Sequence, residues 1–490
     1  AMDLTVLNLA VPALSAELQP SSAQLLWIID VYGFLVAGFL ITMGTLGDRI
    51  GRRKLLLIGA AAFGIASAIA AFSRSAEMLI AMRALLGVAG ATLAPSTMSL
   101  IRNMFHDEHQ RQFAIGVWIA SFSLGGAIGP LVGGVLLEFF HWGSVFVIAV
   151  PVMALLLLLG PKLLPEYKDP NAGWLDPASV LLSLGAVLTT IYALKRLAEH
   201  GFAWEPAVLL FAGLALGAIF LRRQGRLEYP LLDTKLFRRP AFSAAIAAYA
   251  LSCLAMFGIY IFITQYLQLV LALSPLQAGL ATLPWALAFV AGSLLAPKLA
   301  RNLPRASVLI WGLVAAALGM LALVAVDGVW GLPVLIAGTV LMSLGMAPVF
   351  TIGNEMIITS APPERAGAAS ALSETASEFS GALGIALFGS AGTVVYRAGL
   401  GATLPQGVPA DAVPAALATL GGAAGIAQAL PAAAGEALLA AARAAFVDAL
   451  QFAALVGAVV VAAACIVSAR ILRNGGGPQA EMRYADGSAR

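Results

Sequence analysis

Long stretches of this chain carry little or no charge, and each is about as long as a lipid bilayer is thick. An α-helix needs roughly 20 apolar residues to cross the hydrocarbon core. Fourteen such runs can be read, at about 2–17, 25–46, 55–73, 76–100, 113–137 and 142–160, then 176–196 and 206–222, then 241–270, 275–297, 305–325, 331–358, 366–396 and 444–472. Only helices or closed barrels satisfy their backbone in lipid, and continuous rather than alternating apolar runs exclude a barrel. The charged residues, 11% of 490, are too few to cover a soluble surface, and the mean hydropathy is +0.92. The predicted fold is therefore an all-α membrane protein of fourteen transmembrane helices. A formal net charge of +3 gives no footprint for nucleic acid. Fifty glycines suit close helix packing in lipid.

Lysine and arginine set the expected orientation. Of the 28, only Arg74, Lys195, Arg196, Arg397 and Arg443 fall on one face, and Arg83 lies inside a span. The rest share a face with the N-terminus, which the positive-inside rule assigns to the cytoplasm. Both termini are expected there. The start, Ala-Met-Asp-Leu-Thr, has no basic n-region or cleavage site, so a signal peptide is not predicted. Run 2–17 is short, and a short cytoplasmic tail and the beginning of the first helix are expected to precede it.

The runs group as six, two and six. Residues 1–160 form a first six-helix bundle, 161–225 two additional helices, 226–397 spans 9–13, and 444–473 span 14, before a tail at 474–490. Residues 398–443, rich in alanine, glycine and proline, form an outer segment, either a hairpin acting as a lid or a plain loop. The segment Gly44 to Lys54 and its counterpart Gly292 to Arg305 suggest an internal repeat, although the second lacks the acid.

Charge within lipid is costly, so each ionisable group in a span is a functional candidate. Four carboxylates qualify, Asp3, Asp30, Glu374 and Glu378, with Glu355 near the cytoplasmic end of span 12. Acids outnumber Arg83, so the cavity should favour cations, and burial favours the protonated form of a carboxylate. Glu374 and Glu378 are four residues apart and share a helix face. Two close carboxylates resist joint ionisation, which makes proton and cation alternative occupants; one of them serving as a structural hydrogen-bonding acid is the plainer reading. Trp27, Tyr32 and Asn8 are cavity candidates, the two aromatics doubling as possible interfacial anchors. Asp48, Arg49, Arg52 and Arg53, bracketed by Gly44 and Gly51, read as a conformational latch or as topology-setting charge. Gly125, Gly129, Pro130, Gly133 and Gly134 predict a kinked, closely packed span 5. No lysine follows a glycine, so a phosphate-binding loop is excluded and the energy source is expected to be an ion gradient, with no cofactor. Cys253 and Cys465 sit in apolar runs as inert thiols, and the histidines have no metal-ligand spacing.

These motifs resemble the major facilitator superfamily, specifically its fourteen-span drug:proton antiporter branch, over essentially the whole chain. Gly44 to Lys54 is similar to the family's loop 2–3 motif. Arg83-Ala-Leu-Leu-Gly87-Val-Ala-Gly90 resembles the span 4 motif, with Leu86 where glutamine is usual. Gly125 to Gly134 resembles the span 5 antiporter motif, and Asp3 to Pro12 the span 1 motif of the branch. Within the branch the chain is most similar to quaternary-ammonium and methyl viologen exporters. The resemblance implies proton coupling through Arg83, cation recognition by Asp30, Glu374 and Glu378, and an extracellular hairpin between spans 13 and 14. It also implies substrates such as quaternary ammonium biocides, ethidium, acriflavine and viologens, exported across a bacterial inner membrane. A monomer is expected. A facilitator for one narrow metabolite and a non-transporting receptor are the alternatives; no soluble signalling domain supports the second. No nucleophile–base–acid grouping supports an enzyme.

Overall fold

The computed structural model describes residues 22–168, 175–200, 203–232, 234–273, 275–362 and 366–475, with single positions (2, 6, 7, 10, 14, 17, 18 and 20) of the segment before them. The elements are helical throughout these residues. They begin with α1 (Ser22–Ile50), α2 (Arg52–Ala70), α3 (Ala76–Gly90), α4 (Leu93–Met104), α5 (Glu108–Phe139) and α6 (Ser144–Leu163). A pair follows, α7 (Pro177–His200) and α8 (Trp204–Gln224). The remainder are α9 (Pro240–Gln265), α10 (Pro275–Asn302), α11 (Arg305–Ala322), α12 (Gly331–Ser360), α13 (Ala366–Ala402), α14 (Val413–Ala418), α15 (Leu420–Ala429) and α16 (Ala432–Gly475).

Twelve helices among the described residues are long and apolar enough to cross a membrane. Beside them stands α5, 32 residues long. Span 1 falls where only single positions are described. The run 76–100 is one span, Ala76–Met104, interrupted at Ala91–Thr92 so that it divides into α3 and α4. α3 ends at Gly90, because Pro95 has no N–H for the Ala91 carbonyl and its ring crowds that carbonyl. Helix starts follow the sequence: Ser75 accepts from the Met78 amide, and Asp107 from the Gln110 amide.

Packing sorts the helices into two groupings and a pair. α1 packs on α3, α2 on α3, α4 and α6; α9 packs on α12, α13 and α16, and α11 on α12 and α16. The first core centres on Phe63, Leu79, Leu86, Trp142 and Phe146. The second centres on α9, α11, α12 and α16, and is the larger. Glycines bring α11 and α12 together. A Cβ on Gly319 would lie 2.3 Å from the Met342 amide nitrogen, and one on Gly345 2.3 Å from that of Ala316. The two groupings meet along two seams, α1 with α13 and α5 with α10.

The α7–α8 pair lies over the first seam. Leu188 and Leu184 of α7 fill the space a side chain at Gly38 of α1 would need. Tyr192 meets Phe34 edge-on at 6.4 Å, and Ala382 of α13 packs on the same cluster. The base of the pair is pinned by a two-point ion pair of Arg223 with Asp176 (2.7 and 3.0 Å) and by Gln224 donating to Ser179. Arg223, with help from Ser179, holds the Asp176 carboxyl well below the usual carboxylate range. The pair therefore stabilises the fold above the ordinary carboxylate pKa, and that contribution is lost as pH falls through the lowered value.

The segment between spans 13 and 14 is shorter than predicted. α13 continues to Ala402 and α16 starts at Ala432, because alanine-rich sequence sustains a helix past the strongly apolar runs. Between them α14 and α15 form a helical hairpin packed on α13 and α16. Tyr396 donates to the Ala416 carbonyl at 3.0 Å, and Ala416, Leu420 and Ala423 are fully buried.

Candidate functional site

The junction of α1 and α2 at Gly51 holds the first cluster. Asp48 and Arg52, both buried, form an ion pair one helical turn apart. The second Asp48 oxygen accepts from the Ala368 amide at 3.3 Å, in the first turn of α13. A carboxylate there meets the unsatisfied amides and positive end of that helix. This contact joins the two groupings. The linker after α6 clasps the same junction: Glu166 accepts from the Arg53 and Lys54 amides at 3.1 and 3.0 Å, and Tyr167 lies under the Arg52 guanidinium at 5.5 Å. Arg53 donates to the Leu164 carbonyl at 3.0 Å. The predicted loop is a single residue, Gly51: Gly44, Asp48 and Arg49 belong to α1, and Arg52 and Arg53 open α2.

Gly51 is required by this geometry. Its φ of 110° is a region L side chains rarely adopt, and a Cβ would lie 2.7 Å from the Glu166 carboxyl carbon. Gly51→Ala is expected to cost about 1–3 kcal/mol in strain. A lowered thermal midpoint in detergent, with Glu166→Ala partly relieving it, is the check; an unchanged midpoint contradicts the account.

The second cluster surrounds Arg83 of α3. Arg83 is 1% exposed. It donates to the Ile28 and Ile29 carbonyls at 3.0 and 3.3 Å and lies 4.7 Å from the Tyr32 ring centroid. A fixed charge thus sits against the turn of α1 that carries Asp30. The Asp30 side chain, Asp3 and Asn8 lie outside the described residues. Tyr32 faces the interior of the first grouping, edge-on to Phe63 at 6.5 Å. Trp27 is exposed and meets Phe34 on the side of α7. The two aromatics predicted for the cavity are therefore not brought together.

Glu374 and Glu378 project from α13 in the second grouping. The Glu374 Oε1 atom is buried and has no hydrogen-bond partner among the described residues, whereas Glu378 is exposed. Tyr249 of α9 lies within electrostatic reach of both acids. Its ring packs 4.9 Å from Phe350, which meets Phe289 at 5.6 Å. Ser377, between the two acids in sequence, contacts the Cys253 thiol at 3.2 Å. Sequence reading missed this aromatic set, because in an apolar run nothing distinguishes Tyr249, Phe289 and Phe350 from core. Asn354 was a visible signal, a fully buried amide that accepts from Ser373 at 3.0 Å. Next to it, Glu355 is fully buried and meets Arg111 and Arg305.

The span 5 motif lies in one continuous helix, α5, that runs through Gly125, Gly129, Pro130, Gly133 and Gly134. A Cβ on Gly133 would lie 2.9 Å from Val6 of the first segment, a close approach that a larger residue would block. No group of acids, histidines or cysteines among the described residues could hold a metal ion.

Comparison with known proteins agrees with this architecture. Residues 1–385 match the Major Facilitator Superfamily model. The chain is 44% identical over 467 residues to the multidrug efflux pump LfrA of Mycolicibacterium smegmatis, covering 95% of this chain and 92% of LfrA. It is 36% identical over 454 residues to the methyl viologen resistance protein SmvA of Salmonella typhimurium, covering 91% and 90%. The tetracenomycin C resistance and export protein of Streptomyces glaucescens is 31% identical over 397 residues, 79% of this chain and 72% of that one. In fold it is similar to the human organic anion transporter MFSD10, with a TM-score of 0.55 at 16% identity, covering 92% of this chain and 88% of that one. The chain belongs to the Major Facilitator Superfamily, and it is a multi-pass membrane transporter rather than an enzyme.

Proposed function

We propose that the chain exports lipophilic cations in exchange for protons, by alternating access between its two groupings of helices. The observation that carries this reading is the Glu374–Glu378 pair, with one buried oxygen that has no hydrogen-bond partner among the described residues, near Tyr249, whose ring packs on Phe350. A carboxylate held in that way costs free energy unless a proton or a cation joins it. Similarity to a multidrug efflux pump and to a methyl viologen resistance protein supports both the direction and the charge of the cargo, since methyl viologen is a dication. Arg83, against the turn of α1 that carries Asp30, supplies the fixed charge for proton exchange in the first grouping.

In this reading the membrane is the bacterial inner membrane, with fourteen spans and both termini cytoplasmic. The lysine- and arginine-rich end faces the cytoplasm, where the contact of Asp48 with α13 joins the two groupings. The protein works as a monomer on a proton gradient, with no bound cofactor. Drug enters from the cytoplasm or inner leaflet, displaces a proton from the acids, and leaves outward. The hairpin α14–α15 stands at the outer mouth as a lid.

The test is ethidium efflux from loaded cells or vesicles. Collapsing the proton gradient is expected to reduce the efflux rate at least about tenfold, the scale on which a driving force of a few kcal/mol acts. Efflux that persists without the gradient overturns proton coupling. An absence of ethidium and viologen transport alongside transport of one neutral metabolite favours the narrow facilitator.

A further inference from the structure

Polar atoms collect where α12 meets α13, between Glu374 and the lysine- and arginine-rich end of the second grouping. Asn354 of α12 and Ser370 and Ser373 of α13 are fully buried there. The Ser373 hydroxyl lies 3.0 Å from the Asn354 Oδ1 atom and 2.9 Å from the Ser370 carbonyl oxygen, and donates to this pair of acceptors. The Asn354 Nδ2, the Ser370 hydroxyl and the Glu374 Oε1 are buried with no hydrogen-bond partner among the described residues. Residues 370, 373, 374 and 377 are three or four apart, so the serines and Glu374 share one face of α13.

An amide buried with an idle N–H is a costly way to fill space, and an apolar side chain of the same size would pack without that cost. The three unpartnered atoms also differ in kind. Nδ2 only donates, a carboxylate oxygen only accepts, and a hydroxyl does both. A cation would satisfy the carboxylate and be repelled by Nδ2. Water satisfies all three. Ser370 stands one turn nearer the lysine- and arginine-rich end than Glu374, and α13 begins one turn further on, at Ala366. The whole step from Glu374 to that first turn is about 12 Å along the helix, a length that a few waters and hydroxyls cover. The other titratable groups around Glu374 are Glu378 on its own helix and Tyr249 and Cys253 of α9. Glu355, next to Asn354, is engaged by Arg111 and Arg305, and Asp48 of α1 meets α13 at Ala368.

We propose that Asn354, with Ser373 and Ser370, holds water that carries the Glu374 proton to the cytoplasmic end, inside the second grouping and apart from the space that cargo occupies. The O–H bond of protonated Glu374 breaks and its proton passes to water. The far end of the chain hands one proton to the cytoplasm, and the carboxylate keeps the electron pair and the charge that cargo meets. Asn354 is a positioning residue: its amide carries no proton but fixes Ser373 and the water. Cargo seated on the acid then does not trap the proton beneath it.

The route rests on the proton-exchange reading above, and the experiment separates the two. Purified protein in weakly buffered detergent solution is mixed rapidly with ethidium while a pH dye reports proton release. Asn354→Leu keeps the size of the side chain and removes both polar atoms. It is expected to slow release at least about tenfold, a modest part of what a positioned proton-transfer group contributes. Ethidium binding at equilibrium, and ethidium counterflow in proteoliposomes at equal pH, should stay within about twofold, since neither moves net protons through the route. Asn354→Ser, which leaves room for water beside a hydroxyl, should recover much of the rate. No proton release from the parent protein overturns the exchange reading and the route with it. Release at the parent rate in Asn354→Leu overturns the route alone. So does an equal loss of release and counterflow in both Asn354 variants, which assigns the residue to packing. Should Asn354→Leu fail to fold, Ser370→Ala decides, because it deletes only an unpartnered hydroxyl: release slowed about threefold supports the route, and the parent rate overturns it.

Discussion

Glu374→Gln is expected to cut export of dicationic substrates at least about tenfold while leaving monocations within about threefold of the parent rate. Glutamine keeps the shape and hydrogen-bonding capacity of the side chain and removes only the charge. The half-buried position matters: a unit charge about 5 Å from a carboxylate, in surroundings between protein and water, gains on the order of 3 kcal/mol, and about 1.4 kcal/mol is a factor of ten. A dication needs both carboxylates, so the variant leaves one of its two charges unmatched. A monocation still has Glu378, four residues on along the same helix face. The measurement is efflux of methyl viologen against a quaternary ammonium monocation of similar size, in the same cells and at matched expression. Glu374→Asp, which shortens the reach but restores the charge, should recover dication export in part. An equal loss for both classes assigns Glu374 to proton handling or folding rather than to charge matching, and parent rates for both remove it from the site.

How much of this was legible in the sequence depends on what lipid enforces. A membrane leaves the chain few choices, so the helices and the basic end could be read from apolar runs and lysine–arginine placement alone. The break at Ala91–Thr92 was also written in the sequence, in Pro95, but hydrophobicity masked it. The extent of α13 and α16 was not legible, because alanine is equally at home in a helix inside or outside the bilayer. Site residues divide in the same way. Asp48 and Arg52 are an i, i+4 pair and could be paired on paper. Arg111 and Glu355 are 244 residues apart, and no local rule joins them. Glu166 is likewise remote from the amides it caps, although Gly51 hinted that something crowded the junction. Tyr32 shows what a sequence position leaves open. Its position near Asp30 suggested a cavity, but helix rotation turns its ring toward Phe63 and Arg83. Sequence proximity on a helix fixes angle only when the neighbouring helices are known.

Arg83→Ala is expected to abolish drug-driven proton release while leaving equilibrium drug binding within about threefold, since the residue touches backbone and an aromatic ring rather than open space. The Ile28 and Ile29 carbonyls that Arg83 contacts lie within α1, and a helix-interior carbonyl already accepts from the amide four residues on. Removing the guanidinium therefore does not leave them as bare acceptors. What disappears is a permanent positive charge in a low-dielectric setting, beside the turn that carries Asp30. A cation there favours the ionised form of a nearby acid and so eases the proton's departure when cargo arrives. Without it the acid would hold its proton, and binding of drug would no longer be paid in protons. The measurement is pH change outside proteoliposomes on adding drug, paired with calorimetric binding to the same preparation. Arg83→Lys separates charge from shape. Lysine restores a positive charge but not the two-carbonyl, ring-stacked geometry of guanidinium, and partial proton release is the expected result. Full release in Arg83→Ala would make Arg83 a packing element of α1 and α3. Loss of binding together with release would place it at the cargo instead.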